Sequence, residues 1–255
     1  MNASFVIAKA SARGLVRDRI FHASLVLNLM LLLFSVFLST LTIVDQRKIL
    51  LDFGFAAISF VGIVFSIFLG GALIRRELDS RVAYTILAKP VSRAEYVIGK
   101  LLGGMGVIAA LNVFCFLTLA LALWLQGEIL PDGFWAVFYL TCLEGLLYLA
   151  ISVLISLLTS SLFLSATLAF AVFLVARSAY AFELMAAKTQ GLLYYLWKTL
   201  YIAFPAGQRF DVRDVTAYGR PYPAGMLPES TLYFLAYLMV MITLAILSFR
   251  RKDLP

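Results

Sequence analysis

The most constraining feature of the sequence is a set of long apolar runs, each able to cross a membrane as one helix. Every run reaches the ~20 residues that an α-helix needs to cross the ~30 Å hydrocarbon core of a bilayer. The runs cover about residues 20–43, 53–74, 97–125, 134–158, 161–182 and 230–249. Hydrophobic residues make up 63% of the chain, against ~45–50% in soluble domains. The sequence therefore predicts an all-α membrane protein with six transmembrane helices.

Basic residues predict the orientation of these spans, because cytoplasmic loops of membrane proteins carry an excess of Lys and Arg. One side of the bundle receives the 75–100 loop, which contains six basic residues. The same side receives the basic residues of both termini, which are Lys9, Arg13, Arg17, Arg19, Arg250, Arg251 and Lys252. Both termini are therefore predicted to be cytoplasmic. Because the basic residues follow the ends of the spans, the net charge of +7 indicates a membrane protein, and we expect no nucleic-acid partner.

The other side of the bundle is predicted to be extracytoplasmic. There, Arg47 and Lys48 are offset by two neighbouring aspartates, and residues 126–133 contain no Lys or Arg. The long connection 183–229 falls on this side. It contains an apolar, aromatic stretch at 191–204, which is too short for a seventh span and has Lys198 near its middle. We expect this stretch to be a helix lying at the membrane surface or re-entering it.

Residues 4–19 are predicted to form an interfacial helix. Basic residues recur on one face, and Phe5, Ala8, Ala12 and Leu15 lie towards the other. Such a helix lies in the membrane plane with its apolar face in lipid and its basic face towards anionic headgroups.

The 75–100 loop is predicted to contain a short amphipathic helix over 75–90, followed by a new helix. Leu78, Val82 and Ile86 are spaced by four, which places them on one helical face. Pro90 ends this pattern. Ser92 and Glu95 then have the spacing of a capping box, which predicts the start of the next helix. A helix of this kind suits docking to a cytoplasmic partner, although an ordinary charged loop is the alternative.

Two glycines near the start of the third predicted span, Gly99 and Gly103, form a G-x-x-x-G motif. This motif lets two helix backbones approach closely. We therefore expect Gly99 and Gly103 to pack against another helix.

The sequence contains little that indicates catalysis. His22 stands alone at the start of the first span, and the two cysteines, Cys115 and Cys142, lie inside apolar runs. A phosphate-binding loop would need a glycine at Ala94 and Ser or Thr at Leu101. We therefore expect no catalytic residue, no metal site, and no cofactor bound by this chain.

The 75–100 loop also resembles a known family, the ABC-2 type transporter permeases, and more narrowly those of multicopper-enzyme maturation. The residues that carry the resemblance are Glu77, Leu87, Lys89, Pro90, Ser92, Arg93, Gly99 and Lys100. The resemblance implies the type V exporter arrangement in a bacterial cell (inner) membrane. Two permease chains, identical or different, would pair, and two separate ATPase subunits would bind ATP and Mg.

In this interpretation the 75–90 segment is the coupling helix on which each ATPase subunit docks. The residues expected to couple the two proteins are Glu77, Leu78, Val82, Ile86, Pro90 and Arg93. An alternative is a membrane anchor that recruits a cytoplasmic enzyme and transports nothing. The sequence leaves the substrate open among lipids, peptides, drugs, sulfur species and polysaccharides.

Polar residues inside the predicted spans are candidates for function, because ionisable groups at membrane depth are costly. Asn28 and Asn112 are expected to join helices by hydrogen bonds. Glu144 and Arg177 lie 16 and 17 residues on either side of Ser160, so an antiparallel helix pair would place them at nearly equal depth. We expect them to form an ion pair. The alternative has Arg177 reaching the outer headgroups while Glu144 is protonated or faces the cavity between two chains.

Overall fold

The computed structural model describes residues 3–41, 45–80, 91–220, 222 and 225–251. Within these residues the chain is all-α and forms ten α-helices, with one short 3₁₀ helix at Gly207–Phe210. The first five are α1 Ala3–Val16, α2 Arg19–Thr40, α3 Gln46–Asp79, α4 Arg93–Leu125 and α5 Phe134–Leu158. The others are α6 Leu162–Arg177, α7 Ala179–Lys188, α8 Leu192–Ala203, α9 Arg213–Ala217 and α10 Met226–Arg250. The predicted fold class is confirmed.

Five described helices, α2, α3, α4, α5 and α10, are long and apolar enough to cross a membrane. The predicted fifth span over 161–182 is broken, because α6 ends at Arg177 and α7 continues at an angle of 50°. The two helices make a sixth span only if the bent pair is counted as one. The break follows a change in the sequence, since Arg177 and Ser178 interrupt the apolar run.

Helix α3 lies at the centre of the bundle and is largely buried, whereas α2 and α10 leave most of their apolar surface exposed. Helix α3 packs against α2, α4 and α5. At Gly70 the backbones come so close that an added Cβ would lie 2.7 Å from the Leu149 carbonyl oxygen. The hydroxyl of Ser152 on α5 donates a 2.6 Å hydrogen bond to the carbonyl of Ile67 there. Small residues thus bring α3 and α5 together.

Helix α3 is longer than its predicted span and continues to Asp79. Residues 75–79, including Glu77 and Leu78, therefore belong to α3, and the prediction that a separate helix begins at 75 is wrong for this part. The charged residues of this turn extend past the apolar run without breaking the helix, because neither Gly nor Pro occurs there. Residues 81–90, with Val82, Ile86, Leu87, Lys89 and Pro90, lie outside the described residues.

Helix α1 packs on α4, so the prediction that its apolar face lies in lipid is only partly right. Ser11 is buried, while Ala12 and Leu15 pack against the core of the protein, and Phe5 is exposed. The glycines of the G-x-x-x-G motif make this contact. A Cβ added at Gly99 would lie 2.8 Å from the Ser4 carbonyl oxygen, and one at Gly103 would lie 2.6 Å from that of Ala8. The predicted close approach is present, with α1 as the partner helix.

The connection between α6 and α10 forms two parts. Helices α7 and α8 pack as a hairpin, in which Phe182 stacks on Trp197 with ring centroids 5.9 Å apart. No residue of α8 is buried, as the surface-helix prediction requires. Residues 205–220, here called the cap, instead fold back onto the bundle, and Phe210 and Val212 enter its apolar core.

The cap lies at one end of the bundle, which is here called the cap end. The other end, where α1 packs on the start of α4 and where α10 finishes, is the terminal end. A capping box begins α4 there, as predicted: the Ser92 side chain accepts from the Glu95 N–H, and the Glu95 carboxylate accepts from the Ser92 N–H.

The contact between α1 and α4 predicts opposite effects for two glycines of α4 that lie three residues apart. Gly103→Ala should lower the free energy of unfolding by about 1–3 kcal/mol, because the new methyl group meets the α1 backbone. Gly106 has no atom within 4 Å of an added Cβ. Gly106→Ala should therefore be neutral or stabilising by up to about 1 kcal/mol, through better helix propensity. Thermal unfolding of the detergent-solubilised protein measures both. Equal effects would contradict the docking of α1 at Gly103.

Candidate functional site

At the cap end, a buried ion pair joins α5 to α6. Glu144 is 2% exposed, and its Oε1 lies 3.2 Å from Nη2 of Arg177. The pair predicted from the spacing around Ser160 is present. Arg177 is the last residue of α6, where a cation interacts favourably with the partial negative charge of the helix end.

The cap supplies two further charges to this pair. Nη1 of Arg177 lies 3.0 Å from Oδ2 of Asp211, and Arg213 donates a 2.7 Å hydrogen bond from Nε to Oδ1 of Asp211. Burial alone would raise the pKa of Asp211, but the hydrogen bonds and charges of Arg213 and the charge of Arg177 hold it below its usual value. Two arginines and two carboxyl groups therefore form one network, here called the cap-end ion network.

The network has an apolar and closely packed surrounding. The hydroxyl of Tyr148, one helical turn from Glu144, is buried and has no hydrogen-bond partner among the described residues. A Cβ added at Gly207 would lie 3.2 Å from that hydroxyl and 3.5 Å from Oε1 of Glu144. The cap backbone thus covers the carboxylate. In such a site the loss of one charge leaves its partner buried and uncompensated.

The two intramembrane asparagines form other hydrogen bonds. Asn112 donates a 3.0 Å hydrogen bond to the carbonyl of Ile108 in its own helix, and its side-chain oxygen has no partner among the described residues. Asn28 on α2 donates to the hydroxyl of Thr118 on α4 at 3.4 Å. Asn28 therefore joins two helices, as expected, whereas Asn112 bonds within α4.

At the terminal end, Glu77 is the centre of a second polar cluster. Tyr96, fully buried on α4, donates a 2.7 Å hydrogen bond to Oε2 of Glu77. Lys100, one turn further along α4 and 5% exposed, forms an ion pair with Oε1. The carboxylate thus fixes the end of α3 against the start of α4.

Two arginines at the terminal end donate to backbone carbonyls of other segments. Arg93 donates to the carbonyls of Phe249 and Arg250 at 3.2 and 2.9 Å. Arg75 donates to the carbonyl of Thr159 at 3.1 Å and also to that of Ser160. The last carbonyls of a helix have no partner inside it, so the contacts of Arg93 satisfy those at the end of α10. The two arginines join α4 to α10 and α3 to the turn between α5 and α6.

The sequence did not predict the cap residues of the network, Asp211 and Arg213. They lie in a segment rich in Pro and Gly, and no helical periodicity relates them to Glu144. The available signal was the density of charge in RFDVRD at 209–214, which is unusual in a loop beside apolar spans. Lys100 was noted for the family resemblance alone, and its contact with Glu77 was not predicted.

Comparison with known proteins identifies one family. A family model described as ABC-2 family transporter protein matches residues 5–254, nearly the whole chain. No curated protein matches the chain.

The cap-end ion network predicts unequal costs for its two membrane-embedded members. Glu144→Gln leaves Arg177 paired with Asp211, whereas Arg177→Met deprives both acidic residues of a partner. Arg177→Met should therefore cost more, about 3–5 kcal/mol. The double variant should recover part of this loss, with a coupling energy of about 0.5–3 kcal/mol.

The measurement is thermal unfolding in detergent of the wild type and the three variants. Glu128→Gln is the matched control, because Glu128 lies 3.7 Å from Arg47 in an exposed pair, and such pairs contribute at most about 1 kcal/mol. Additive losses at Glu144 and Arg177 would contradict their energetic coupling.

Proposed function

Since the chain belongs to the ABC-2 family of transporter proteins and is a membrane permease of an ABC transporter, we propose that it is the transmembrane subunit of an exporter. It would move its substrate out of the cytoplasm or the inner leaflet, using ATP hydrolysed by a separate subunit. The family match over residues 5–254 is the observation that carries this proposal. The narrower resemblance to permeases of multicopper-enzyme maturation stays a prediction.

The proposed partner is an ABC ATPase, in two copies, which would hold the ATP and Mg. Each copy would dock on the segment that follows α3, through Val82 and Ile86, with Pro90 ending the docking helix. Contacts at the terminal end support a lever of this kind. Glu77, Lys100, Arg93 and the other polar residues there fasten the ends of α3, α4 and α10 together, so a displacement of one end is passed to the others.

The structure changes the role proposed for Leu78. This residue is half-buried and packs against the apolar cluster around Tyr96 and Phe249. It therefore stabilises the terminal end, and its replacement would test folding rather than docking. Val82 and Ile86 remain the proposed contacts with the ATPase.

A second permease chain, identical or different, is the other proposed partner. Exposed apolar surface supports this proposal: α2 and α10 are the least buried of the described spans. The alternative function is a membrane anchor that recruits an enzyme without transport. An anchor would bind its partner in the same way, but it would not change the partner's ATP turnover. The two functions differ in whether ATP turnover of the partner depends on this chain.

The docking proposal predicts loss of the ATPase from a double variant. Val82→Asp with Ile86→Asp should remove two apolar contacts, each worth about 1.5–3 kcal/mol when fully buried. The permease should still insert, while the partner ATPase should no longer co-purify. Ile129→Asp is the control, because Ile129 is 80% exposed at the cap end.

Turnover separates the two candidate functions. In proteoliposomes, an exporter subunit should make ATP hydrolysis by the partner depend on its presence and on Val82 and Ile86. ATP hydrolysis that is the same with and without this chain would favour the anchor. Co-purification that survives the double variant would contradict the docking segment.

The proposed orientation predicts the labelling of two introduced cysteines in a background without Cys115 and Cys142. Tyr218→Cys, at a position 52% exposed on the cap, should react with an impermeant maleimide in intact cells. Ser80→Cys, exposed at the terminal end, should react only after the membrane is permeabilised. The reverse pattern would show that the termini lie outside.

A further inference from the structure

Two adjoining cavities open beside α10 at the cap end, and they differ in chemistry. The first, about 380 Å³, is polar and lies between α7, the cap and the start of α10. The second, about 550 Å³, is an apolar groove between α8 and the middle of α10. Tyr201, Ala206 and Arg209 line both. Together the cavities form one amphiphilic site with a polar chamber and an apolar channel.

The polar chamber holds charges of both signs. The guanidinium of Arg209 lies over the ring of Tyr233, 5.0 Å from its centroid. The carboxylates of Glu183 on α7 and Glu229 on α10 line the same chamber. One guanidinium and two carboxylates therefore line the same chamber, which can receive a cation and an anion that are joined in one molecule.

The apolar channel follows a single stripe of α10. It is lined by Ala236, Tyr237, Val240, Met241 and Leu244, with Ile202 on α8 as the opposite wall. From Tyr233, beside Arg209, to Leu244 the helix rises ~16 Å. Half of a bilayer's hydrocarbon core is ~15 Å thick. The channel therefore has the length of an acyl chain that ends near the midplane.

We propose that this site binds a phospholipid with a zwitterionic, primary-amine headgroup, of the phosphatidylethanolamine type. The phosphate would meet Arg209, the ammonium would meet Glu183 and Glu229, and one acyl chain would lie along Val240 and Leu244. In the orientation proposed above, the lipid comes from the outer leaflet. The binding does not depend on export by this chain.

The charged side chains of the chamber favour this lipid over the other lipids of a membrane. A purely anionic headgroup would be attracted by Arg209 but repelled by the two carboxylates of the chamber. A phosphatidylcholine headgroup carries a cation that cannot donate hydrogen bonds to Glu183 and Glu229. Only a headgroup with both a phosphate and a hydrogen-bonding ammonium satisfies all three side chains.

The test is lipid retention by the full-length, detergent-purified protein. After delipidation, the protein is exposed to equal amounts of dioleoyl phosphatidylethanolamine, phosphatidylglycerol or phosphatidylcholine, and bound lipid is counted by native mass spectrometry. Phosphatidylethanolamine should be retained best. Glu183→Gln with Glu229→Gln should reduce its retention about tenfold and shift the preference towards phosphatidylglycerol. Arg209→Gln should weaken the retention of both phosphatidylethanolamine and phosphatidylglycerol.

Val240→Trp tests the apolar channel, since the larger ring should fill it and lower retention of every lipid. Val26→Trp is its control, because Val26 on α2 is 56% exposed and Val240 is 54% exposed. Melting temperatures equal to that of the wild type in detergent identify the variants that fold, and retention is compared among these.

Three results would overturn the proposal. The first is retention of phosphatidylglycerol equal to or above that of phosphatidylethanolamine by the wild type. The second is retention that none of the variants changes. The third is a protein dimer that Val240→Trp dissociates while lipid retention stays the same, which would assign the groove to a second copy of the chain.

Discussion

Close packing around α3 is the interaction on which the rest of the structure depends. Apolar side chains gain little from leaving lipid, so helices in a membrane associate through van der Waals contact and hydrogen bonds. Helix α3 permits this contact because Gly54 and Gly70 leave no room for a side chain where Leu119 and Leu149 approach. Its 34 residues measure ~51 Å, which exceeds the ~30 Å of hydrocarbon. One helix therefore reaches both polar ends of the bundle.

The contacts at the two polar ends of the bundle also follow from the membrane, whose core contains no water to solvate a charge. Charged side chains near the membrane must be paired, so Glu144 pairs with Arg177 and Glu77 pairs with Lys100. Arg93 donates to the last carbonyls of α10, and Arg75 donates to the carbonyl of Thr159 in the turn after α5. Both kinds of contact join segments distant in sequence, and each therefore fixes the position of one helix relative to another.

Sequence reasoning succeeded where a local rule limits the geometry. The length of the apolar runs predicted the spans, and the spacing of Ser92 and Glu95 predicted the start of α4. The short turn around Ser160 predicted that Glu144 and Arg177 lie at nearly equal depth. It failed where tertiary contact decides. The partner of Gly99 and Gly103 was α1, which periodicity had assigned to lipid, and Asp211 entered the ion network from a loop. The charges beyond the apolar run of α3 suggested a loop with a separate helix from residue 75, although α3 itself continues to Asp79.

The two polar clusters are connected through hydrogen bonds and packed helices, so a movement at one end of the bundle can reach the other. Arg75 joins the end of α3 to the carbonyls of Thr159 and Ser160, in the turn between α5 and α6. Arg177 is the last residue of α6, and Glu144 lies near the middle of α5. A force on the end of α3 would therefore move α5 and α6 together at the terminal end. Because α6 ends at the 50° bend beside Ser178, the ion network with Asp211 is where such a movement would meet the cap.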